Sequence, residues 1–200
     1  VERVFLLTVE HLQLSLMGVL IALLVAIPLG IFIYRYKGFA GVVLSLTDVI
    51  QTIPSLAMLA LLMLVFGLGN TTVIAALVLY SLLPIVRNTY TGLNNVSPSL
   101  IEAGRGMGMT RFQRLRYVEL PLALPVIMAG IRVATVTAIG IATIGVLIGG
   151  GGLGVLIWRG IQNTDTQMIL MGSIPAALLA ILADFLLGKI EKRLIPKGMN

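Results

Sequence analysis

Cysteine is absent from the 200-residue chain. That excludes disulfide frameworks and thiolate-bound metal but leaves the redox compartment open, since reducing compartments hold cysteine-free proteins too. Histidine occurs once, at His11, with no Asp, His or Cys pattern around it. An interfacial residue near a helix start is expected there, not a catalytic base, and no metal site is expected in the chain. Charge is sparse as well: 11% of residues are Asp, Glu, Lys or Arg, against 58% apolar, where a soluble domain carries about 25% charged residues. The net charge of +6 does not point to nucleic acid, because the cations fall between apolar stretches and not along one basic face with interleaved aromatics. A glycine run at 149–154 is not followed by Gly-Lys-Ser/Thr, so no phosphate loop and no nucleotide site are expected.

What fills the chain is long apolar sequence. A helix needs about 20 such residues to cross roughly 30 Å of hydrocarbon, and five stretches qualify: about 11–34, 41–66, 71–94, 120–148 and 168–189. The expectation is an all-α integral membrane protein, a single transmembrane domain over 1–200 with lipid around it. The first stretch lacks a small-residue cleavage pattern and continues through Pro28, Gly30 and Tyr34 into a basic loop, which makes it a span and not a signal peptide. Positive residues stay on the cytoplasmic side. Arg35 and Lys37, then Arg87, Arg105, Arg111, Arg114 and Arg116, then Lys189, Lys192, Arg193 and Lys197 fall on one side, and Arg3 and Arg159 on the other. The expected topology therefore has the N-terminus outside and the C-terminus inside, with the 95–119 loop cytoplasmic.

Five prolines, Pro28, Pro54, Pro84, Pro125 and Pro175, lie inside these stretches, where each removes a backbone donor and favours a kink. Asp48 and Arg132 are charges placed in apolar surroundings, at similar depths from the inner ends of their helices at about 1.5 Å per residue. Charges at such depth avoid lipid and find partners, so a structural or gating Asp48–Arg132 pair is expected, with Asp184 as the competing partner for Arg132. Gln51, Thr52 and Ser55, with Thr47, put polar groups on the second span, and Thr135, Thr137 and Thr143 do so on the fourth. As a set they are candidates for a translocation path; singly, each Thr reads rather as an interhelical hydrogen-bonding residue. Trp158, the one tryptophan, sits in the connection after the glycine run, so an aromatic cage for a quaternary ammonium is not expected within the chain. The glycine run reads as a flexible external turn or gate.

The polar stretch 95–121 reads as two short helices. Ser97 and Pro98 make a start, Gly104, Gly106 and Gly108 permit a turn, and Thr110 caps a second helix carrying Phe112, Leu115 and Val118 on one side. Arg111 and Arg114, three apart, face an acidic protein groove or anionic head groups, and periodicity leaves both open. Within this stretch Glu102-Ala103-Gly104, three residues, Gly108, nine residues, then Val118-Glu119-Leu120-Pro121 resembles the EAA loop of ABC-importer permeases, Glu-Ala-Ala-x3-Gly-x9-Ile-x-Leu-Pro. Gly104 stands for the second Ala and Val118 for Ile, with the spacing intact. The segments Gln51-Thr52-Ile53-Pro54-Ser55-Leu56-Ala57, Leu83-Pro84-Ile85-Val86-Arg87-Asn88-Thr89-Tyr90 and Ala129-Gly130-Ile131-Arg132, with the glycine run, look like permeases for glycine betaine, carnitine and choline.

The resemblance implies a type I importer (MetI-like) permease fold with a cytoplasmic coupling-helix hairpin. Glu102, Ala103, Gly104, Gly108, Met109, Thr110, Arg111, Phe112, Arg114, Leu120 and Pro121 would meet the ATPase subunit. It also implies ATP and magnesium on that subunit with no cofactor in this chain, a second identical or homologous permease copy, and a substrate-binding protein or fused receptor domain that delivers the solute. The expected location is the bacterial inner membrane. Two rival readings carry different expectations: an ion-coupled carrier using Asp48, Arg132 and Asp184, which leaves the loop unexplained, and a membrane scaffold, which has no need of prolines and buried charges.

Overall fold

The computed structural model describes residues 2–194, and among them the chain is helical nearly throughout, with no strand. Lys197, counted above among the positive residues, lies outside the described residues. The helices are α1 (Glu2–Arg35), α2 (Ala40–Thr52), α3 (Ser55–Phe66), α4 (Asn70–Asn94), α5 (Pro98–Gly106), α6 (Arg111–Arg114), α7 (Leu120–Ala142), α8 (Gly154–Gln162) and α9 (Thr166–Leu194). A π turn at Leu115–Glu119 joins α6 to α7, and 3-10 turns at Lys37–Phe39 and Thr143–Ile148 precede α2 and extend α7.

Four helical runs are long and apolar enough to cross a membrane: α1, α4, the run Arg111–Ile148, and α9. The expected second span is instead broken, because α2 and α3 meet at an angle of 101°. Pro54 has no N–H to continue the ladder and its ring pushes the preceding residue out of the helical region; Ile53 is extended, at φ −69° and ψ 125°. The two pieces, about 20 Å and 18 Å long at about 1.5 Å per residue, each fall short of the hydrocarbon thickness. The other four prolines stay inside continuous helices. Two further expectations fail locally. Helix α1 begins at Glu2, not near His11, because Val4 and Leu7 pack on Leu153, Leu156 and Ala176 and hold its first turns in place. The connection after the glycine run contains a helix, α8, whose Gly154, Leu156 and Gly160 are buried.

Helix α4 is the central element, packed between α1 and α7. Leu77, Ile85, Val86 and Leu93 along it have no exposed surface. Each neighbour meets it with a ladder of small residues at every fourth position, Gly18, Ala22, Ala26 and Gly30 on α1 and Gly130, Ala134, Ala138 and Ala142 on α7, and all eight are buried. Hydrocarbon is as apolar as a leucine side chain, so burial alone gives helices little reason to associate in a bilayer; close backbone approach and dispersion do. The approach is very close. A Cβ added at Gly18 would lie 2.5 Å from Leu77 Cβ, at Gly30 2.6 Å from Thr89 Cβ, and at Gly130 2.5 Å from the Pro84 carbonyl oxygen. The buried hydroxyls at these seams are satisfied within their own helices, Thr89 donating to Ile85 O at 2.7 Å and Thr135 to Ile131 O at 2.8 Å.

Gly18→Val and Gly130→Val are expected to force α4 away from one neighbour and lower stability by about 1–3 kcal/mol, the usual effect of overpacking. A thermal melt of the purified protein checks this against Gly140→Ala, where nothing lies within 4 Å of the added Cβ and the midpoint should not fall below the wild-type value.

Candidate functional site

The stretch between α4 and α7 is a helical hairpin. Pro98 opens α5, while Ser97 makes no capping bond and its Oγ lies 2.7 Å from Ser99 Oγ. The turn rests on one glycine, not three: Gly108 sits at φ +74°, whereas Gly104 and Gly106 belong to α5 and Gly104 is buried against Met109 and Arg114. Thr110 starts α6 with a reciprocal capping box. Its Oγ1 accepts from Gln113 N at 3.2 Å and its own N–H donates to Gln113 Oε1 at 2.8 Å.

The π turn that follows explains an interaction the sequence hid. Residues five apart do not share a face of an α-helix, but a π turn, with bonding from i to i+5, brings them closer in register. Arg114 Nε donates to Glu119 Oε1 at 2.6 Å, and Glu119 is only 2% exposed. Arg114 is therefore engaged inside the hairpin root, while Arg111 stays on the surface. Leu115 packs with Leu93, Ala123 and Ile127. Phe112, expected beside Leu115 and Val118, instead points outward, 66% exposed. With Leu100, Met107 and Tyr117, also exposed, it gives the hairpin an uncovered apolar surface, alongside exposed Glu102 and Ala103. Leu120 and Pro121 begin α7, half-buried and exposed respectively.

A polar cavity of about 490 Å³ opens beside the α2–α3 break. It is lined by Gln51, Thr52 and Ser55, as the sequence suggested, and by Tyr80, Arg87, Asn88 and Thr137, of which only Thr137 was foreseen for a path. Its framework follows from two prolines. Pro84 lacks the N–H that would bond Tyr80 O four residues back, and Gln51 Nε2 donates to that carbonyl at 2.9 Å. In return the Tyr80 hydroxyl donates to Ile53 O at the break made by Pro54, and Asn88 Nδ2 donates to Pro84 O at 2.7 Å. Gln51 is thus committed to the backbone as well as exposed to the cavity. Thr52 donates to Val49 O at 2.7 Å.

Of the two pairings expected for Arg132, the one with Asp184 forms and the one with Asp48 does not. Asp48 bonds Arg87 on α4 at 2.5 Å, not Arg132. Arg132 reaches α9, where Nε and Nη2 hold Asp184 at 2.9–3.0 Å and Nη1 holds Glu191 at 2.7 Å. Asp184 and Glu191 are seven residues apart and share a helix face, and Gly188 between them leaves room for the guanidinium, whose Cζ would lie 3.2 Å from an added Cβ. The bridge borders an open groove of about 670 Å³ shared with Thr137, Ala180 and Phe185. Of the other path candidates, Thr135 lines an apolar groove between α1, α7 and α9, and Thr143 begins the 3-10 turn with its hydroxyl on Gly140 O. Neither lines the polar cavity.

The glycine run is not a loose turn. Gly152 N donates to Glu10 Oε2 and Gly151 N to Asn70 Oδ1, each at 2.9 Å, and Gly69 N donates to Ile148 O at 2.8 Å. A Cβ at Gly151 would sit 1.9 Å from Glu10 Oε1 and one at Gly154 2.0 Å from Thr143 O. His11 is fully buried beneath this strap with Nε2 3.0 Å from Ile139 O. It is not interfacial, because α1 starts nine residues earlier than expected.

The chain belongs to the family of binding-protein-dependent transport system inner membrane components, whose family model matches residues 16–196. It is a membrane permease of an ABC importer and not an enzyme, which sets aside the ion-coupled carrier and the scaffold. Among its relatives are the glycine betaine/carnitine/choline transport system permease protein OpuCD of Bacillus subtilis, 58% identical over 94% of this chain and 82% of that protein, and the carnitine transport permease protein OpuCD of Listeria monocytogenes, 57% identical over 94% and 84%. The osmoprotectant import permease protein OsmW of Salmonella typhimurium is 46% identical over 97% and 93%. In fold the chain is similar to a chain of the MetNI methionine ABC transporter in an inward-facing conformation, with a TM-score of 0.81, 22% identity, and coverage of 92% of this chain and 93% of that one.

Arg132→Leu is expected to strand Asp184 and Glu191 side by side and to lower the melting midpoint, modestly because the side chains are 22–48% exposed. Adding Asp184→Asn and Glu191→Gln should recover much of the loss in a thermal melt. Adding Asp48→Asn should recover none, and recovery there would restore the pairing that the geometry rejects.

Proposed function

We propose that the chain carries a quaternary-ammonium compatible solute, of the glycine betaine, carnitine and choline class, across the bacterial inner membrane. A separate ATPase subunit, holding ATP and magnesium, would drive it through the hairpin. The substrate class rests on the relatives' names. The coupling role rests on one observation above all: the hairpin exposes Leu100, Met107 and Phe112 at a polar end of the bundle, where apolar surface has no hydrocarbon to face and fits a protein groove. Glu102, Ala103 and Gly108 lie on the same hairpin.

Orientation follows the cations, with the hairpin and the α1 and α9 ends cytoplasmic and the N-terminus outside. The polar cavity beside Gln51, Thr52 and Ser55 is the candidate path, completed by a second permease copy, identical or homologous, because one subunit leaves it open on a side. A binding protein or fused receptor domain supplies the solute at the glycine-strap end. Closure of the two ATPase subunits draws the paired hairpins together and opens the path outward; hydrolysis resets it. The hairpin's root supports such transmission: α6, the π turn and α7 are one continuous helical run, and the Arg114–Glu119 bridge pins its bend.

Reconstitution with the ATPase subunit and a loaded binding protein tests this. Gly108→Val should reduce both co-purification and ATP-dependent uptake of the solute by about tenfold or more, since a β-branched residue at positive φ costs about 1–2 kcal/mol and displaces the turn. Gly108→Asn should retain far more, because Asn visits that region. Phe112→Ser should weaken co-purification without changing the melt. Uptake that survives without ATP and follows an imposed ion gradient would overturn the reading.

A further inference from the structure

A second cavity, of about 400 Å³, lies between the end of α1, the 3-10 turn after it and the hairpin, lined by Tyr34, Arg35, Lys37, Ile101, Arg105, Arg111, Arg114 and Glu119. Five cations and one carboxylate converge there. Among the described residues the ion pairs are Asp48–Arg87, Arg114–Glu119, Arg132–Asp184 and Arg132–Glu191. Glu119 is thus spent on Arg114, and Arg35, Lys37, Arg105 and Arg111 share the cavity with no carboxylate of their own. Retention of positive residues on one side of the membrane explains their number but not their convergence. Four like charges around one space repel unless an anion sits among them.

The position says which anion. Arg35 ends α1 and Glu119 immediately precedes α7, both apolar runs, so the cavity stands where hydrocarbon gives way to head groups. Beside it Phe32 forms an exposed aromatic cluster with Tyr36 and Phe39, with ring centroids 5.0 Å and 5.6 Å from its own, and Tyr36 is a residue type that favours the head-group level. The cavity also bridges separate pieces of chain: Arg35 Nη2 donates to Arg111 O at 3.0 Å, tying the α1 end to the hairpin. We propose that this cavity binds the phosphate of an anionic phospholipid, held by Arg35, Lys37, Arg105 and Arg111. The lipid then braces the hairpin against α1. The site needs only the membrane location of the chain, not the ATPase contact or the solute class.

The test is native mass spectrometry of the purified full chain equilibrated with phosphatidylglycerol and phosphatidylcholine. Phosphatidylglycerol should be retained in preference, and Arg105→Gln/Arg111→Gln should weaken its retention by roughly 25-fold, on about fivefold per cation near a membrane surface. Lys192→Gln/Arg193→Gln, an equal loss of charge at the same end of the bundle, should leave retention unchanged and also shows that total charge is not the cause. Thermal melts of both variants at the wild-type midpoint establish that the fold is intact. Three results overturn the proposal. One is equal retention by the Arg105/Arg111 variant. Another is binding of inorganic phosphate, lost in that variant, with no preference for phosphatidylglycerol, which would make the site one for a soluble anion. The third is unchanged lipid retention with lost co-purification of the ATPase subunit, which would make the cavity part of the protein contact.

Discussion

Helix α4 is held by backbone proximity, and most of the architecture depends on that. In hydrocarbon the usual gain from hiding apolar surface is nearly absent, so three long helices stay together because two ladders of glycine and alanine let α1 and α7 come within van der Waals contact of the helix between them. The seams tolerate no added atoms at Gly18, Gly30 or Gly130. They also fix which residues of α4 remain for other work. Faces turned to the ladders carry Leu77, Ile85, Val86 and Thr89, all fully buried; a third side, bordering the α7 seam where Gly130 meets the Pro84 carbonyl and Asn88, carries Tyr80, Pro84, Arg87 and Asn88 to the edge of the polar cavity.

That third side is where the backbone is least self-sufficient. Pro84 leaves a carbonyl of α4 without its partner and Pro54 severs α2 from α3, and the two defects repair one another through Gln51 and Tyr80. A bilayer makes an unpaired carbonyl expensive, by several kcal/mol, so irregular backbone survives there only where side chains or water reach it. The cavity satisfies both conditions. Polar residues near it are therefore partly structural, and Gln51 belongs to the frame of the candidate path as much as to its surface.

Much of the fold was legible because span length is a one-dimensional property. The hairpin was legible too, from its polar interruption and from fixed spacing between Glu102, Gly108 and Pro121, and Thr110 capped as its residue type suggested. What failed required angles or local geometry that spacing does not carry. Depth along a helix gave Asp48 and Arg132 similar heights, but height says nothing of which way a side chain faces, and Arg87, counted only as a positive residue near a helix end, was the true partner. The π turn has no sequence signature, so Arg114 and Glu119 looked unrelated. Glycines in a row at 149–154 suggested looseness, yet here their lack of side chains admits Glu10, His11 and the Thr143 carbonyl. The small-residue ladders were readable as every-fourth Gly and Ala, and were masked because hydropathy counts both merely as apolar filler.

Stiffness is distributed unevenly as a result. From the capping box at Thr110 to the strap that begins at Gly149, the chain is a single helical run with α, π and 3-10 segments, pinned at one end by Arg114–Glu119, in the middle by Arg132 on α9, and along one face by its ladder against α4. A displacement applied to the hairpin therefore bears on α4 and α9 through these contacts. The α2–α3 elbow is different: its backbone continuity at Ile53–Pro54 lacks the helical ladder, and two side-chain hydrogen bonds stand in for it. The elbow is thus the break in the helical ladder that lies in the wall of the polar cavity.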